Sequence, residues 1–369
     1  MKMNNILYIS GDGIADPKTN WNIYFNYFDL FSKNYFLTKE LKSTVNNCEI
    51  INFSHQMWFL KIFLKLEYLG IYGSTMIRSK IANIINLFIQ NIIYRKIDHN
   101  HYNLIIFSDN LYFLDEKFLK KIKQITCVKV LLLSGVSPKY LLNQSDKNCA
   151  QYYDLIFISD LGHKKEWKDL GAQHIIILPI SAGCPNTFQR IAKQYSKRKK
   201  YDIVFIGRLD SISNQHRIKI LNFLIKAGVN IKIWTWFLSN QFIKKYPFLI
   251  SHIVGSAYGK EMVEILSQSK IALNIHGPSV PYGGNMRLFE IPATKSLQIA
   301  DKCPQDWFKD GDEIVLYKNN QDLLQKINYF IDNDEERERI VKNGYERLVR
   351  EHQYKHRVKK IFESISITD

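Results

Sequence analysis

The chain has 369 residues, 46% hydrophobic and 23% charged, which excludes a disordered or fibrous polymer. At roughly 150 residues per domain the length predicts two globular domains, each with its own core. Lysine and arginine (51) outnumber aspartate and glutamate (35), for a net charge of +16.

That excess attracts nucleic acid, an anionic membrane face or an anionic substrate without choosing among them. No zinc-finger, RNP or basic-zipper pattern is present, so nucleic acid is not expected as a partner. The five cysteines (Cys48, Cys127, Cys149, Cys184 and Cys303) are scattered and never in CxxC spacing. A disulfide framework or zinc site is therefore not expected, and a reducing, cytoplasmic compartment fits. The opening MKMNNILYIS turns polar after one strand-like run, unlike a signal peptide. The charge-free run from Ile81 to Tyr94 is too short to span a bilayer.

Short apolar runs alternating with amphipathic stretches predict a parallel α/β sheet. In the first half, strands are predicted at Ile6–Ser10, Glu49–Phe53, Leu104–Ser108, Val128–Leu133, Leu155–Ser159 and Ile175–Leu178, with helices such as Glu116–Ile125 and Lys164–Leu170 between them. The polar loop after the first strand carries Gly11, Asp12 and Gly13, at the strand end where open α/β sheets bind ligands. Asp12 is the candidate base of this half. Asp109 follows the third strand and either lines the ligand site or caps a helix. Between His55 and Asp98, Trp58, Phe59, Leu60, Ile62, Phe63, Leu66 and Leu69 are interleaved with Lys61 and Lys65, then followed by Arg78, Lys80, Arg95 and Lys96. A basic amphipathic helix of this kind lies on an anionic membrane or packs on the sheet with its lysines in water.

Ser181 to Lys200 lacks apolar periodicity and ends in a basic run, which predicts an interdomain linker. A second alternation follows, with strands at Asp202–Ile206, Ile231–Trp234, Ile271–Ile275, Leu297–Ala300 and Glu313–Leu316. Helices are predicted at Arg217–Ala227, Lys260–Gln268, Met286–Ala293 and Asp322–Ile331, then almost continuously from Glu335 to Ser364.

The stretch from Lys270 to Asp301 carries the most chemistry. A strand leads through His276 and the glycine pair Gly283–Gly284 into a helix beginning near Asn285. A helix start after glycines offers backbone N–H groups and a positive dipole end to a diphosphate. Arg287 adds a fork-shaped cation, and Glu290 lies one turn further on the same face, placed to accept from a ribose diol. The competing reading is an ordinary loop and cap, with Arg287 and Glu290 a surface ion pair.

SKIALNIHG, GGNMRLFEIPA and SLQIAD together resemble the donor-binding segment of the CgeB-like glycosyltransferases, relatives of glycosyltransferase group 1. Asn285, Arg287, Phe289, Glu290, Ala293 and Asp301 match the family pattern. Lys295-Ser296 stands where the family has glycine, and the first glutamate of the wider group's paired-glutamate pattern falls at Tyr282. Tyr153–Phe188 resembles the end of the family's first domain. Tyr201–Arg217 resembles the opening of its second, where Gly207 ends the strand and Arg208 or Arg217 faces the diphosphate.

The resemblance implies the GT-B fold: two Rossmann-like α/β domains with parallel sheets facing across a cleft. The acceptor domain would span residues 1–185 with 355–369, the C-terminal helix crossing back to it, and the donor domain 186–354. It implies transfer of a sugar from a nucleotide sugar to a glycan, lipid-linked or protein acceptor in bacterial surface polysaccharide or glycoconjugate synthesis. The transfer would be retaining, without metal and with no cofactor besides the donor substrate. On this reading Gly207, Arg208, Arg217, Gly283, Gly284, Asn285, Arg287 and Glu290 bind the donor. Asp12, His276 and Arg287 are the catalytic candidates, and Gly11, Gly13 and Asp109 lie on the acceptor side. Residues 55–98 would bring the protein peripherally to the inner face of the cell membrane. Two other readings stay open: a nucleotide-sugar epimerase on the same scaffold, and a non-catalytic basic module binding a membrane or polyanion.

Overall fold

The computed structural model describes residues 5–10, 33–52, 75–108, 115–125, 128–135, 137–138, 149–193, 199–209, 214–235, 238 and 240–366. Gly11, Asp12, Gly13, Asp109 and the aromatic run Trp58–Leu69 lie outside the described residues. The chain forms two compact units, Met1–Ile180 with Arg357–Asp369, and Ser181–His356.

The first unit holds β1 (Asn5–Ser10), β2 (Asn47–Asn52), β3 (Leu104–Ser108), β4 (Lys129–Ser134), β5 (Leu155–Ile158) and β6 (Ile175–Ile177) in one sheet, ordered β2-β1-β3-β4-β5-β6. Every pairing is parallel. Ile6 through Ile9 and Leu104 through Phe107 are fully buried, so alternate side chains enter the layers on opposite faces. Burial on both faces is why these strands read as unbroken apolar runs. The sheet order reverses between β1 and β3, whose carboxyl ends meet at Ser10 and Ser108.

The helices of this unit are α1 (Lys33–Thr44), α2 (Thr75–His99), α3 (Glu116–Ile125) and α4 (Lys164–Asp169). The third shows how local sequence sets an element. Asp115 Oδ1 accepts from the Phe118 amide at 2.7 Å, an N-cap worth about 1 kcal/mol. Phe118, Leu119 and Ile122 recur at helical spacing and are buried, while Lys117, Lys120 and Lys121 face water. In α2, Ile89, Ile93 and Ile97 sit four residues apart and enter the core. The packed-helix reading therefore holds for the C-terminal half of this segment, although Leu87 and Phe88 remain 58% and 50% exposed. Among the described residues no helix is long and apolar enough to cross a membrane.

The second unit holds β7 (Tyr201–Ile206), β8 (Ile231–Trp234), β9 (Ile253–Gly255), β10 (Ser269–Asn274), β11 (Leu297–Ala300) and β12 (Val315–Leu316). Their order is β12-β11-β10-β7-β8-β9, again parallel throughout. This is the doubly wound order in which the first strand is central and the winding reverses beside it. The helices are α5 (Pro185–Ala192), α6 (Gln215–Lys226), α7 (Asn240–Lys245), α8 (Pro247–Ile250), α9 (Gly259–Ser267), α10 (Arg287–Ala293), α11 (Asn320–Asp332), α12 (Asp334–Glu351) and α13 (Tyr354–Ile365). From Arg357 onward the last helix groups with the first unit, where Lys129 Nζ donates to the Ile365 carbonyl at 3.3 Å.

Three predictions need correction. Ser181–Lys200 is not a bare linker: α5 starts on Pro185, buries Pro185, Phe188 and Ile191, and its Gln189 side chain donates to the Ala293 carbonyl at 2.7 Å. Eight residues with three apolar contacts are too few to show a period against the adjacent basic run. The edge strand β9 is only three residues long, with Val254 exposed, so it lacks the apolar run used to find strands. The closing helix is two helices. It breaks at His352, whose carbonyl accepts the Gly183 amide at 2.8 Å and whose ring Nε2 bonds the Trp307 carbonyl at 2.8 Å. The Gly183 amide takes the carbonyl that a continuous helix would have used.

Candidate functional site

The crevice at the carboxyl ends of adjacent strands β7 and β10 is where a doubly wound sheet opens to ligand. Gly207 follows β7, and its amide donates to the Trp234 carbonyl at 3.0 Å. A Cβ on Gly207 would lie 2.8 Å from the Phe205 ring, so this turn tolerates no side chain. Beyond β10 come Ile275, His276 and Gly277, then the glycine loop into α10.

A pair of asparagines joins strand to helix. Asn274 and Asn285 exchange two amide hydrogen bonds, at 3.1 and 2.7 Å, and Asn285 Oδ1 also accepts from the Leu288 amide at 3.1 Å. The amides of Phe289 and Glu290 donate to the Met286 carbonyl at 3.0 and 3.2 Å. Asn285 is thus the joint of the loop and the cap of α10. The amides of Leu288, Phe289 and Glu290 are thus already bonded. Gly283 has φ 104°, a left-handed backbone that favours glycine, and a Cβ there would press on Lys302 and Cys303 at 3.2–3.3 Å.

Positive charge comes instead from side chains. Arg217 spans both strand ends: Nε donates to the Ile275 carbonyl at 2.9 Å, and Nη1 to the Arg208 carbonyl and Asn214 Oδ1, each at 3.1 Å. Arg287 Nε donates to the Ile206 carbonyl at 3.3 Å and Nη1 pairs with Glu290. Arg208 is exposed at the mouth of β7. Burial depresses the basicity of Arg217; Asp301 offsets this, and the charges of Arg287 and Arg208 add to it. Three cations that destabilise one another at a crevice form a site that an anion would relieve. The pair Arg287–Glu290 is no surface bridge, because Glu290 is only 7% exposed.

His276 is placed differently from its prediction as a catalyst. It is 1% exposed. Its ring Nδ1 lies 2.5 Å from Asp301 Oδ1, and Nε2 lies 3.1 Å from the Gly283 carbonyl. With both nitrogens facing groups of the protein, the ring braces the loop. Sequence reasoning did not single out His216, whose Nε2 lies 2.5 Å from the His276 carbonyl, or Asn274 as an individual residue. The only sequence signals for them were adjacency to Arg217 and the asparagine-rich strand end.

Residues 218–363 match the glycosyl transferase-like family. The chain is similar to the solved structure of a glycosyltransferase from Rickettsia africae ESF-5 (12% identity, TM-score 0.63, covering 100% of this chain and 99% of that one). It is also similar to HepE of Anabaena in complex with UDP and glucose (13% identity, TM-score 0.57, 98% and 99%). A third similar structure is the apo form of WaaB, a lipopolysaccharide outer core galactosyltransferase (15%, 0.61, 98% and 99%). No curated protein matches the chain by sequence. The chain has the two-unit α/β fold of these structures, known as GT-B. The family match covers the second unit from α6 onward together with most of α13.

The backbone after α10 shows what the lysine standing at the glycine of the resembled pattern has to adopt. Lys295, just past α10, has φ 59°, the described residues' one non-glycine with positive φ. Its carbonyl accepts from Lys199 Nζ at 3.0 Å, and its own Nζ lies 4.5 Å above the Tyr345 ring. Left-handed backbone costs a side-chain-bearing residue about 1–2 kcal/mol, and an exposed cation–π contact returns about 0.5–1. Lys295→Gly is therefore expected to raise stability by about 0.5–1 kcal/mol. Urea denaturation of the two proteins measures it; a loss of stability would show that the Tyr345 contact outweighs the backbone strain.

Proposed function

We propose that the protein transfers a sugar from a nucleoside diphosphate sugar, and that its donor site is the crevice formed by Gly207, Arg208, Arg217, Gly283, Gly284, Arg287 and Glu290. One observation carries this reading: three arginines and a buried glutamate converge where β7 and β10 end, at the reversal of a doubly wound sheet. Arg208, Arg217 and Arg287 neutralise the diphosphate and the charge growing on it as the glycosidic bond breaks. Glu290 exchanges its internal partner for ribose hydroxyls. UDP-glucose is the first donor to test, because HepE of Anabaena was solved with that ligand.

The finer reading is a CgeB-like, retaining hexosyltransferase that needs no metal, since the arginines supply the neutralising charge. In a retaining transfer the departing diphosphate itself takes the acceptor's proton, and neither Asp12 nor His276 is required as a base. The acceptor is a glycan, lipid-linked or protein hydroxyl in bacterial surface polysaccharide or glycoconjugate synthesis. Gly11, Gly13 and Asp109, which follow the carboxyl ends of β1 and β3, are its candidate contacts. Exposed Leu87 and Phe88 on α2, with Arg95 exposed on the same helix, support peripheral binding to an anionic membrane on the cytoplasmic face.

A thermal-shift screen of UDP, GDP, TDP, ADP and CMP sugars tests the donor site, because ligands that bind the native state raise its melting temperature. One nucleotide class is expected to stabilise the wild type and to lose most of that effect in Glu290→Ala and Arg287→Ala. Equal shifts in all three proteins would move the donor elsewhere.

A further inference from the structure

Three bonds meet at the side chain and amide of His276. The backbone amide donates to Asp301 Oδ1 at 3.0 Å, ring Nδ1 faces the same oxygen at 2.5 Å, and ring Nε2 faces the Gly283 carbonyl at 3.1 Å. The carbonyl cannot donate. A neutral ring has only one N–H, so a neutral ring beside a carboxylate leaves one contact as lone pair against lone pair. Both contacts become hydrogen bonds only when the pair holds two protons.

The structure assigns His276 and Asp301 as a positioning pair: by keeping a proton on each ring nitrogen, they pin the Gly283 carbonyl and hold the glycine loop in the shape that receives a nucleoside diphosphate. This inference rests on the donor reading above. Without the second proton the Nε2 lone pair faces the Gly283 carbonyl, and that contact is no longer a hydrogen bond.

The groups around the pair favour the doubly protonated arrangement on one side and oppose it on others. From the end of β11, Asp301 and Lys302 face it. From α6, His216 holds the His276 carbonyl and Arg217 the Ile275 carbonyl, with Arg287 of α10 and Arg208 beyond β7 acting on Arg217. After β12, the buried Tyr317 hydroxyl has no hydrogen-bond partner among the described residues, and burial together with the Asp301 charge pushes its ionisation up. Burial works against the Asp301 carboxylate, but the ring bond, the ring charge, the backbone amide and Lys302 together hold it below its ordinary range. A depressed carboxylate contributes stability above its unfolded pKa and loses it as pH falls through the folded value. The Asp301 contribution to the loop is thus lost on the acid side.

Two measurements on the full-length protein test this. With 15N-histidine labelling, and His276→Gln to identify the signal, both His276 nitrogens are expected at protonated-ring positions under conditions where UDP-glucose binds. UDP-glucose is then titrated calorimetrically from about pH 5 to about pH 8, a range in which neither its diphosphate nor its uracil changes charge, and the His276→Gln profile isolates the histidine's part. Wild-type affinity is expected to fall about tenfold toward alkaline pH, one lost hydrogen bond. The fall is expected to move to lower pH in Asp301→Asn, and to vanish in His276→Gln, which binds weakly at every pH. A signal showing one unprotonated ring nitrogen, or an affinity with the same pH profile in wild type and Asp301→Asn, overturns the assignment. Absence of UDP-glucose binding at any pH sinks the donor reading, while the nitrogen spectrum still decides the state of the pair.

Discussion

Arg287→Ala is expected to lower stability by about 3 kcal/mol and to weaken UDP-glucose binding at least about tenfold. The stability loss follows from what remains. Glu290, 7% exposed, loses the guanidinium that pairs with it. Removing one member of a buried pair costs about 3–5 kcal/mol, and the lower end applies because the Arg287 side chain is 24% exposed and partly served by water. The binding loss has a separate origin, one cation fewer for the diphosphate. A double variant, Arg287→Met with Glu290→Gln, separates the two. It leaves no uncompensated charge, so chemical denaturation is expected to show most of the stability restored, while calorimetry still shows the weakened binding. Recovery of both together would mean that Arg287 serves only its neighbour.

Phe289→Ala carries the largest expected cost to the fold, about 3–5 kcal/mol, the range for deleting a buried aromatic ring. Its side chain is fully buried, with ring centroids 5.7 Å from Trp307, 6.1 Å from Phe308 and 5.4 Å from His352. Those partners come from the segment after β11 and from the break between α12 and α13, so the cavity cannot close without shifting several elements. Phe289→Leu retains most of the volume and is expected to cost less than about 1.5 kcal/mol. Urea denaturation distinguishes the two. Equal small losses would mean that the site collapses around the missing ring. The same helix thus presents Phe289 to the core and Arg287 and Glu290 to the crevice, which ties the position of the charged pair to aromatic packing.

Much of the fold was legible because the relevant signals are local. Ile6–Ile9 and Leu104–Phe107 are apolar on both faces, and Glu116–Ile125 carries its cap and its apolar stripe within a few residues. The motif at Asn285, Arg287, Phe289 and Glu290 was equally visible, since each residue's type already limits what it can do. Its roles were less so. Asn285 was read as a ligand contact, and its part in joining the loop was not visible, because its partner Asn274 lies across the loop. His276 was read as a catalyst, and the acceptors that occupy its ring belong to Asp301 and Gly283, seven or more positions away.

Sequence alone determined that this chain alternates strand and helix in two halves, that its strands are buried on both faces, and that a glycine-rich turn leading to an arginine and a glutamate follows the third strand predicted in the second half. Tertiary structure alone decided that β7 and β10 lie side by side, that Arg217 bridges their ends, and that a lysine takes a glycine's backbone conformation after α10. The physical reason is range. Periodicity and turn chemistry act over one or two turns of chain, whereas strand order, buried charge and backbone strain depend on segments that meet only when the sheet has formed.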